Sequence, residues 1–489
     1  MKDKKIVEPL LNEISRSGRI GVQLPSIDVP AQSLESLLGS SLRQDLPLPE
    51  LSEPEVIRHF THLSELNYSI DSGFYPLGSC TMKYNPKINE DVARMPGFGR
   101  LHPLLPDSCT QGALEVLYEM QNILTEIAGM DATSLQPAAG AHGELLGLML
   151  IRAYHEDRGE QNRDLIIVPD SAHGTNPASA ARCGYKTASI RTDDRGRVDL
   201  EHLKQVLTDN VAGLMLTNPN TIGLFEDQVH EICDLVHAAG GLVYCDGANM
   251  NALVGRARPG DMGFDVMHFN LHKTFSSPHG GGGPGSGPVA VKSMLEPYLP
   301  VPQVVKTGEG FRLDFDRPKS VGKIHSFYGS FMAILRSYVY IMYYGHERLA
   351  DISGNAVLNA NYIRVALQDD YDVAYEGTCM HEAVFSAKRQ QRATGVRALD
   401  IAKRLMDYGY HPPTIYFPLI VPEALMIEPT ETESRETLDE FIAAMKSIAR
   451  EAAETPDVVK SAPQTTVVRK LDEATAARQP CLCWVGPEE

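Results

Sequence analysis

Short runs of consecutive apolar residues recur through the middle of the chain and alternate with segments of helical spacing. One such helical segment carries Val229, Ile232 and Val236 on a single face. Strands that are apolar at every position are buried on both faces, and in alternation with helices they indicate a mostly parallel sheet. The predicted strands are residues 165–168, 213–216, 241–245, 266–269 and 288–291. This pattern predicts an α/β domain whose functional residues lie at the carboxyl ends of its strands.

An aspartate and a lysine stand at two of these strand ends. Asp246 follows the strand at 241–245, where an unpaired charge would be costly. Lys273 follows the next strand and precedes a loop, residues 280–285, in which five of six residues are glycine. Such a loop lets the backbone approach a ligand closely. Lys273 is therefore a candidate for a Schiff base with an aldehyde cofactor.

Two further segments supply the other groups that a pyridoxal phosphate (PLP) site requires. A turn of small residues with Gly140 and Ala141 opens a helical segment, where backbone N–H groups and the helix dipole can bind phosphate. His173 follows a predicted strand and could stack on the pyridine ring. PLP also needs a lysine for attachment and a carboxylate at the ring nitrogen. Together with Lys273 and Asp246, these residues predict a PLP site.

Each of these residues also has an ordinary structural interpretation. An aspartate after a strand often caps a turn or a helix. A single histidine commonly forms structural hydrogen bonds, and a single lysine is usually solvated. The loop at 75–86, rich in glycine, proline and polar groups, could line a substrate pocket or serve only as a connection.

Composition and charge restrict the class of protein. The length of 489 residues predicts two or three domains, and the net charge of −18 argues against nucleic acid or an anionic membrane as a partner. No segment reaches the roughly 20 apolar residues of a membrane span, and the N-terminus lacks the apolar core of a secretion signal. The eight scattered cysteines have neither zinc spacing nor the density of a disulfide scaffold. These features predict a reducing, cytoplasmic compartment and no metal site.

Three regions are predicted along the chain. Residues 1–110 form an N-terminal arm and loop region, which could wrap a neighbouring subunit or act as a surface tether. Residues 111–325 form the large α/β domain that binds PLP, and residues 326–489 form a smaller C-terminal α+β domain. The elements predicted in the last region are helices at 396–408 and 438–452 and a strand at 414–421.

Long motifs over nearly the whole chain resemble those of the glycine decarboxylase P-protein family of the glycine cleavage system, in its two-subunit bacterial form. The motifs are residues 75–86, 136–144, 173–180, 270–285, 411–418 and 428–434. The family usually has more arginine in the segment where Lys323 and His325 stand here. No role is assigned to Cys481 and Cys483 near the C-terminus.

The resemblance implies a fold-type-I PLP enzyme with a large, mostly parallel sheet domain and a smaller α+β domain. It implies an oxidoreductase that decarboxylates glycine, releases carbon dioxide and transfers the aminomethyl group to the lipoyl arm of the H-protein. Lys273 and His173 are the expected catalytic residues, and Asp246 keeps the ring electron-poor. His272 is expected either to reach the phosphate or to pack, and Asn249 is a further candidate cofactor contact.

The resemblance also implies partners. P-protein subunit 1, a related chain without the lysine, is expected to complete the enzyme, with two copies of each subunit in a heterotetramer. The residues that bind the glycine carboxylate stay open, with the 75–86 loop and residues 323–328 as candidates. Glu144 and Thr274 are weaker candidates for the site.

Two other functions remain open from the sequence. One is another fold-type-I PLP amino-acid decarboxylase that needs no lipoyl partner. The other is a non-catalytic subunit that only shapes its partner. The joint presence of Lys273, Asp246 and His173 argues against the second.

Overall fold

The computed structural model describes residues 7–43, 46, 48–102, 104–280, 282–283, 285–326 and 329–483. The chain divides into two compact units, residues 1–73 with 463–489 and residues 74–462. The domain boundaries predicted at residues 110 and 325 stay predictions. Within the described ranges, no helix combines the length and apolarity needed to cross a membrane.

Helices account for much of the described chain. Their bounds are α1 Leu11–Ile14, α2 Leu34–Leu38, α3 Glu53–Leu66, α4 Lys87–Ala93, α5 Pro96–Gly99, α6 Gln111–Ala128, α7 Gly140–Asp157, α8 Thr175–Arg182, α9 Leu200–Val206, α10 Val229–Ala238, α11 Phe331–Tyr344, α12 Leu349–Leu367, α13 Lys388–Thr394, α14 Ala398–Asp407, α15 Arg435–Glu454, α16 Pro456–Lys460 and α17 Glu473–Arg478.

The strands of the described chain belong to three sheets. Their bounds are β1 Ala132–Ser134, β2 Leu165–Pro169, β3 Lys186–Ile190, β4 Val211–Thr217, β5 Leu242–Gly247, β6 Val266–Phe269, β7 Val289–Val291, β8 Gln303–Thr307, β9 Gly310–Asp314, β10 Asp372–Val373, β11 Ala383–Ser386, β12 Thr414–Ile415 and β13 Ala424–Ile427.

The large sheet has seven strands in the order β1-β7-β6-β5-β4-β2-β3. Strands β2 to β6 run parallel, and β7 is antiparallel to both of its neighbours. Every residue of β4, β5 and β6 is buried, because helices and loops cover both faces of the sheet. The predicted mostly parallel α/β architecture is confirmed.

Helix α7 packs closely against the large sheet because two of its residues lack side chains. A Cβ atom added at Gly143 would collide with the carbonyl oxygen of Gly287 and the side chain of His268. One added at Gly147 would overlap the buried ring of Tyr244. This close approach brings the first turn of α7 to the carboxyl ends of the central strands.

A second, antiparallel sheet has the order β10-β11-β13-β12. Together with α12, α14 and α15 it encloses a separate apolar core. The helices predicted at 396–408 and 438–452 are confirmed as α14 and α15. The strand predicted at 414–421 is wrong beyond Ile415, because Tyr416 has φ of 57° and turns the chain away from the ladder.

The segment between the two sheets has more structure than its sequence indicated. Residues 300–345 contain the β8–β9 hairpin and helix α11, neither of which was predicted from the sequence. The register of the hairpin pairs Gln303 with Asp314 and Thr307 with Gly310.

The smaller unit contains α1, α2, α3 and α17. Helix α3 begins with a capping box: the side chain of Ser52 accepts the backbone N–H of Glu55, and the side chain of Glu55 accepts the backbone N–H of Ser52. The carboxylate of Glu8 lies 3.0 Å from the ring of His59 and 2.9 Å from the ring of His62. The role of residues 1–110 as an N-terminal arm stays a prediction.

The packing of α7 gives a stability prediction. Gly147→Ala should lower the free energy of unfolding by about 1–3 kcal/mol, because the added methyl group must displace Tyr244. Gly112→Ala in α6 is the control, since a Cβ there meets open space. The control should be neutral or stabilising by up to about 1 kcal/mol. Denaturant unfolding of both variants measures the difference, and equal effects would contradict the packing argument.

Candidate active site

A cavity of about 490 Å³ lies at the carboxyl ends of the central strands of the large sheet. The residues predicted for the PLP site all line it: Gly140, Ala141, His173, Asp246, Asn249, His272 and Lys273. They come from separate positions along the chain, and the parallel order of β2, β4, β5 and β6 brings them to one edge. The structure thus places the predicted residues together, while the role of each stays a prediction.

Asp246, the second-last residue of β5, is a buried carboxylate with polar partners around it. Asn176 Nδ2 and the N–H of Ala248 each donate to it at 3.0 Å, and His268 Nε2 lies 3.5 Å from Oδ1. Burial raises the pKa of Asp246, but His268, these two hydrogen bonds and the charge of Lys273 outweigh burial and lower it overall. The site therefore holds a fixed negative charge at this strand end.

Glu144, on α7, behaves in the opposite way. It accepts hydrogen bonds from Thr175 Oγ1 at 2.7 Å and from Asn176 Nδ2 at 3.2 Å. Burial and then the neighbouring Asp246 raise the pKa of Glu144 to about 8. The amide of Asn176 donates to both carboxyl groups, so it links a neutral acid to a charged one. Pairs whose pKa values are pushed apart in this way are common at active sites.

His173 lies in the turn between β2 and α8, as its place after a strand predicted. Its Nδ1 atom is 2.8 Å from Thr175 Oγ1, and its ring meets the ring of Phe417 edge-on at 5.7 Å between centroids. Burial lowers the pKa of His173, so the ring is a flat, uncharged surface in the cavity wall. Phe417, from the β12–β13 loop, was not predicted.

The N-terminus of α7 faces the same cavity. The helix begins at Gly140, and the preceding residue, Ala139, has no side chain that caps it. A Cβ at Gly140 would collide with Asn270, which leaves glycine as the residue that fits. Uncapped N–H groups at the start of an 18-residue helix are a suitable site for an anion.

His272 and Asn249 line the cavity but already have structural contacts. His272 Nδ1 accepts the N–H of Ser286 at 3.2 Å, and burial, then the charges of Lys273 and His279, lower the pKa of His272 to about 3. Asn249 Nδ2 donates to the carbonyl oxygen of Pro219 at 2.9 Å. A phosphate contact by His272 would therefore involve a neutral ring.

Several residues of the site were missed from the sequence. His268 is buried inside strand β6, bonded to Tyr244 and Asn270, and a polar residue within an apolar strand was the available signal. Thr217 lines the cavity from the end of β4. Of the weaker candidates, Glu144 lines the cavity, whereas Thr274 is buried behind it.

The predicted pocket loop contributes Gly78, Ser79 and Cys80 to the cavity wall. The other candidate segment reaches a different cavity, where His325 is one of the lining residues. Residues 327 and 328 of that segment, and residues 281 and 284 of the glycine loop, lie outside the described residues.

Behind the cavity wall, three potential ligand groups lie close together. They belong to His381, Glu382 and Glu428, all fully buried, and their ligand atoms are within 4.8 Å of one another. Both carboxylates already accept hydrogen bonds from the 79–81 loop. The sequence-based expectation of no metal site stays a prediction.

Comparison with known proteins identifies the family. The family model described as glycine cleavage system P-protein matches residues 28–308, and the glycine dehydrogenase C-terminal domain matches residues 352–470. The chain belongs to the glycine cleavage system P-protein family. Its parallel sheet, second antiparallel sheet and strand-end cavity are those of a fold-type-I PLP enzyme, as predicted.

Close relatives carry the same name in several bacteria. A probable glycine dehydrogenase (decarboxylating) subunit 2 of Halalkalibacterium halodurans is 60% identical over 477 residues, covering 97% of this chain and 98% of the relative. The protein of that name from Chlorobium chlorochromatii is 59% identical over 478 residues, covering 97% and 99%. The chain therefore matches these P-protein subunits over almost their whole length.

Solved structures share the fold at low sequence identity. A glycine decarboxylase (P-protein) of the glycine cleavage system in inhibitor-bound form aligns with a TM-score of 0.71 at 20% identity, over 86% of this chain and 95% of that one. A glutamate decarboxylase of Lactobacillus brevis aligns with a TM-score of 0.64 at 12% identity, over 89% and 96%. Both likenesses show the fold.

The raised pKa of Glu144 gives a pH prediction for the ligand-free protein. Between its ordinary value of 4.5 and about 8, the folded state binds more protons than the unfolded state. The free energy of unfolding should therefore fall as pH rises through this range. In Glu144→Gln this fall should be smaller by at least about 1 kcal/mol. Glu156→Gln, an exposed change on the same helix, should keep the wild-type dependence, and identical pH profiles for all three proteins would contradict the assignment.

Proposed function

We propose that this chain is the PLP-bearing subunit of a two-subunit P-protein, which decarboxylates glycine and passes the aminomethyl group to the lipoyl arm of the H-protein. The observation that carries the proposal is the single cavity shared by Lys273, Asp246 and the start of α7. It occurs in a P-protein family member that matches subunit 2 relatives over nearly their full length.

The residues of the cavity fit PLP by the chemistry of their groups. Asp246 is a charged carboxylate in a buried position, which suits a protonated pyridine nitrogen. The uncapped start of α7 at Gly140 and Ala141 suits a phosphate. Lys273 supplies a primary amine, and His173 supplies a flat uncharged ring. When bound, PLP supplies an electron sink for the electron pair left as glycine loses its carboxyl group.

The protein groups that would surround bound PLP have separate roles. Asp246 keeps its negative charge because Asn176 and Ala248 donate to it, so it can hold a proton on the ring nitrogen. The amine of Lys273, once free of the cofactor, can accept or deliver a proton at the substrate carbon. Glu144 stays neutral beside Asp246, which keeps two negative charges from competing at one strand end.

The wall formed by residues 78–80 is the candidate for contact with the glycine carboxylate. It lies in the same cavity as Lys273 and carries the backbone N–H groups of Gly78 and Cys80 and the Cys80 thiol, whereas the N–H and hydroxyl of Ser79 donate to Glu382. We further propose that P-protein subunit 1 completes the enzyme as a heterotetramer with two copies of each chain. The cytoplasm is the proposed compartment.

An isotope-exchange assay tests the reaction and its partners. Glycine with labelled bicarbonate should give labelled glycine only when subunit 1 and lipoylated H-protein are both present, because the aminomethyl group needs the lipoyl arm. H-protein without lipoyl is the control and should give only background exchange. Exchange that ignores both partners would favour an independent amino-acid decarboxylase.

The attachment role of Lys273 can be tested in the isolated chain. With excess PLP the wild-type protein should show a visible absorption band that borohydride abolishes, leaving a pyridoxyl group on the Lys273 peptide. Lys273→Ala should lack the band and lose glycine exchange. Lys186→Ala, which alters an exposed lysine paired with Asp164, is the control and should behave like wild type. A wild-type protein that stays colourless in excess PLP would favour a non-catalytic subunit.

A further inference from the structure

Ser79 and Cys80 line one side of the cavity, and residues 79–83 are anchored to buried acidic side chains at alternate positions. Ser79, Thr81 and Lys83 each bind a different glutamate, whereas Cys80 lies between two of these anchors and faces the cavity. We call residues 79–83 the acid-anchored segment.

The first anchor is Glu382, which follows directly on His381 and is fully buried. Its Oε2 atom accepts the backbone N–H of Ser79 at 2.8 Å, and the Ser79 hydroxyl lies 3.1 Å from the same oxygen. Burial and then the neighbouring Glu428 raise the pKa of Glu382 to about 8.

The second anchor is Glu428, immediately after β13. It accepts the backbone N–H of Thr81 at 2.9 Å and the Thr81 hydroxyl at 2.5 Å. Burial raises the pKa of Glu428. The third anchor is Glu431, which accepts the amine of the buried Lys83 at 2.6 Å.

The backbone on both sides of Cys80 adopts a conformation that needs such support. Ser79 has φ of 58° and Thr81 has φ of 47°, in the left-handed region that L-residues seldom occupy. A β-branched residue such as Thr81 is especially disfavoured there. The N–H groups of these two strained residues are the ones that the buried carboxylates accept. Buried hydrogen bonds to charged or polar partners are strong enough to hold such strain.

The second sheet fixes where the segment can run. Leu77 forms an isolated bridge to Ile427, and Thr414 Oγ1 donates to the carbonyl oxygen of Gly78 at 2.8 Å. A Cβ at Gly78 would overlap Met426, so the chain lies directly on β13. This packing places Glu428, the residue after β13, within hydrogen-bonding distance of Thr81.

We propose that Glu382 and Glu428 are positioning residues, which hold the backbone on both sides of Cys80 so that Ser79 and Cys80 form part of the wall of the cavity that contains Lys273. Neither carboxylate lines the cavity, so they act through the segment and not on the substrate. The inference rests on the proposed function only in taking this cavity as the catalytic one.

The ring of His381 is the remaining member of the cluster. Its Nε2 atom lies 4.0 Å from Glu382 Oε2 and 3.9 Å from Glu428 Oε1, too far for a hydrogen bond. Burial and then the charge of Lys273 lower the pKa of His381 to about 3, so the ring adds no positive charge. Within the described ranges, the side chains of both glutamates therefore receive their hydrogen bonds from the segment.

The reactivity of Cys80 reports the position of the segment. Its thiol is partly buried, and burial raises its pKa while Lys273 acts in the opposite direction. The experiment measures alkylation of the Cys80 peptide by iodoacetamide in the PLP-loaded protein, across pH, by mass spectrometry. The pH profile separates a change in exposure from a change in the thiol pKa, to which both glutamates contribute.

Glu428→Gln and Glu382→Gln should raise the pH-independent alkylation rate of Cys80 by about tenfold, the effect of weakening one buried hydrogen-bonded anchor. Thr81→Val should also raise it, because the hydroxyl donor is lost while both carboxylates remain. Thr81→Ser keeps the hydroxyl and should behave like wild type. In the assembled enzyme, the glycine KM of the glutamate variants should rise more than kcat falls.

Asp265→Asn is the matched control. Asp265 is also a buried carboxylate that accepts a backbone N–H, that of Val243 at 2.7 Å, but it lies before β6 at the opposite sheet edge. The control should leave Cys80 alkylation within about twofold of wild type.

Unchanged Cys80 reactivity in folded Glu382→Gln, Glu428→Gln and Thr81→Val proteins would overturn the proposal. A stoichiometric metal ion that is lost from Glu428→Gln would also overturn it, because the carboxylates would then be ligands. Alkylation needs no catalysis. If Cys80 alkylation rises in the variants but the assembled wild-type enzyme shows no glycine exchange, this inference stands and the proposed function is refuted.

Discussion

The burial of Asp246 as a charged carboxylate is the constraint on which the rest of the site depends. A charge at the end of a fully buried strand is stable only with close polar partners: Asn176 and Ala248 donate hydrogen bonds to it, and the ring of His268 lies 3.5 Å away. Burial, and then repulsion by the charge of Asp246, raise the pKa of Glu144 and keep it neutral. Strand β5 and helix α7 thus place two acids in the cavity lining, Asp246 charged and Glu144 neutral.

The second sheet contributes by a different physical route. It supplies none of the acidic or basic side chains described above as lining the cavity. It instead supports a strained loop. Glu382 immediately precedes β11, and Glu428 immediately follows β13. Each carboxylate accepts a hydrogen bond from the backbone N–H of a residue with positive φ. Lys83 adds a buried ion pair with Glu431 to the same loop. One sheet therefore sets the charges of the site, and the other sets the shape of one wall.

Much of the fold could be predicted because periodicity is local. Strands β2, β4, β5, β6 and β7 and helices α14 and α15 follow from runs of apolar residues with the right spacing, whereas β1 and β3 were not predicted. The β8–β9 hairpin was missed because its residues alternate only weakly and include several charges. The strand that begins at Thr414 was predicted to be too long, because apolar composition does not reveal that Tyr416 turns the chain. Backbone conformation at single residues depends on contacts that lie far away in the sequence.

The sequence by itself determined which predicted site residues meet in the cavity. Lys273, Asp246 and His173 follow strands, and parallel strands bring their carboxyl ends to one edge whatever the intervening loops contain. Only the tertiary structure decided the protonation of Glu144, the support of Asp246 by His268, and the anchoring of residues 79–83. These features depend on distances between residues that are up to 348 positions apart, as Lys83 and Glu431 are. Burial and electrostatic energy depend on such distances, which no local pattern of residues encodes.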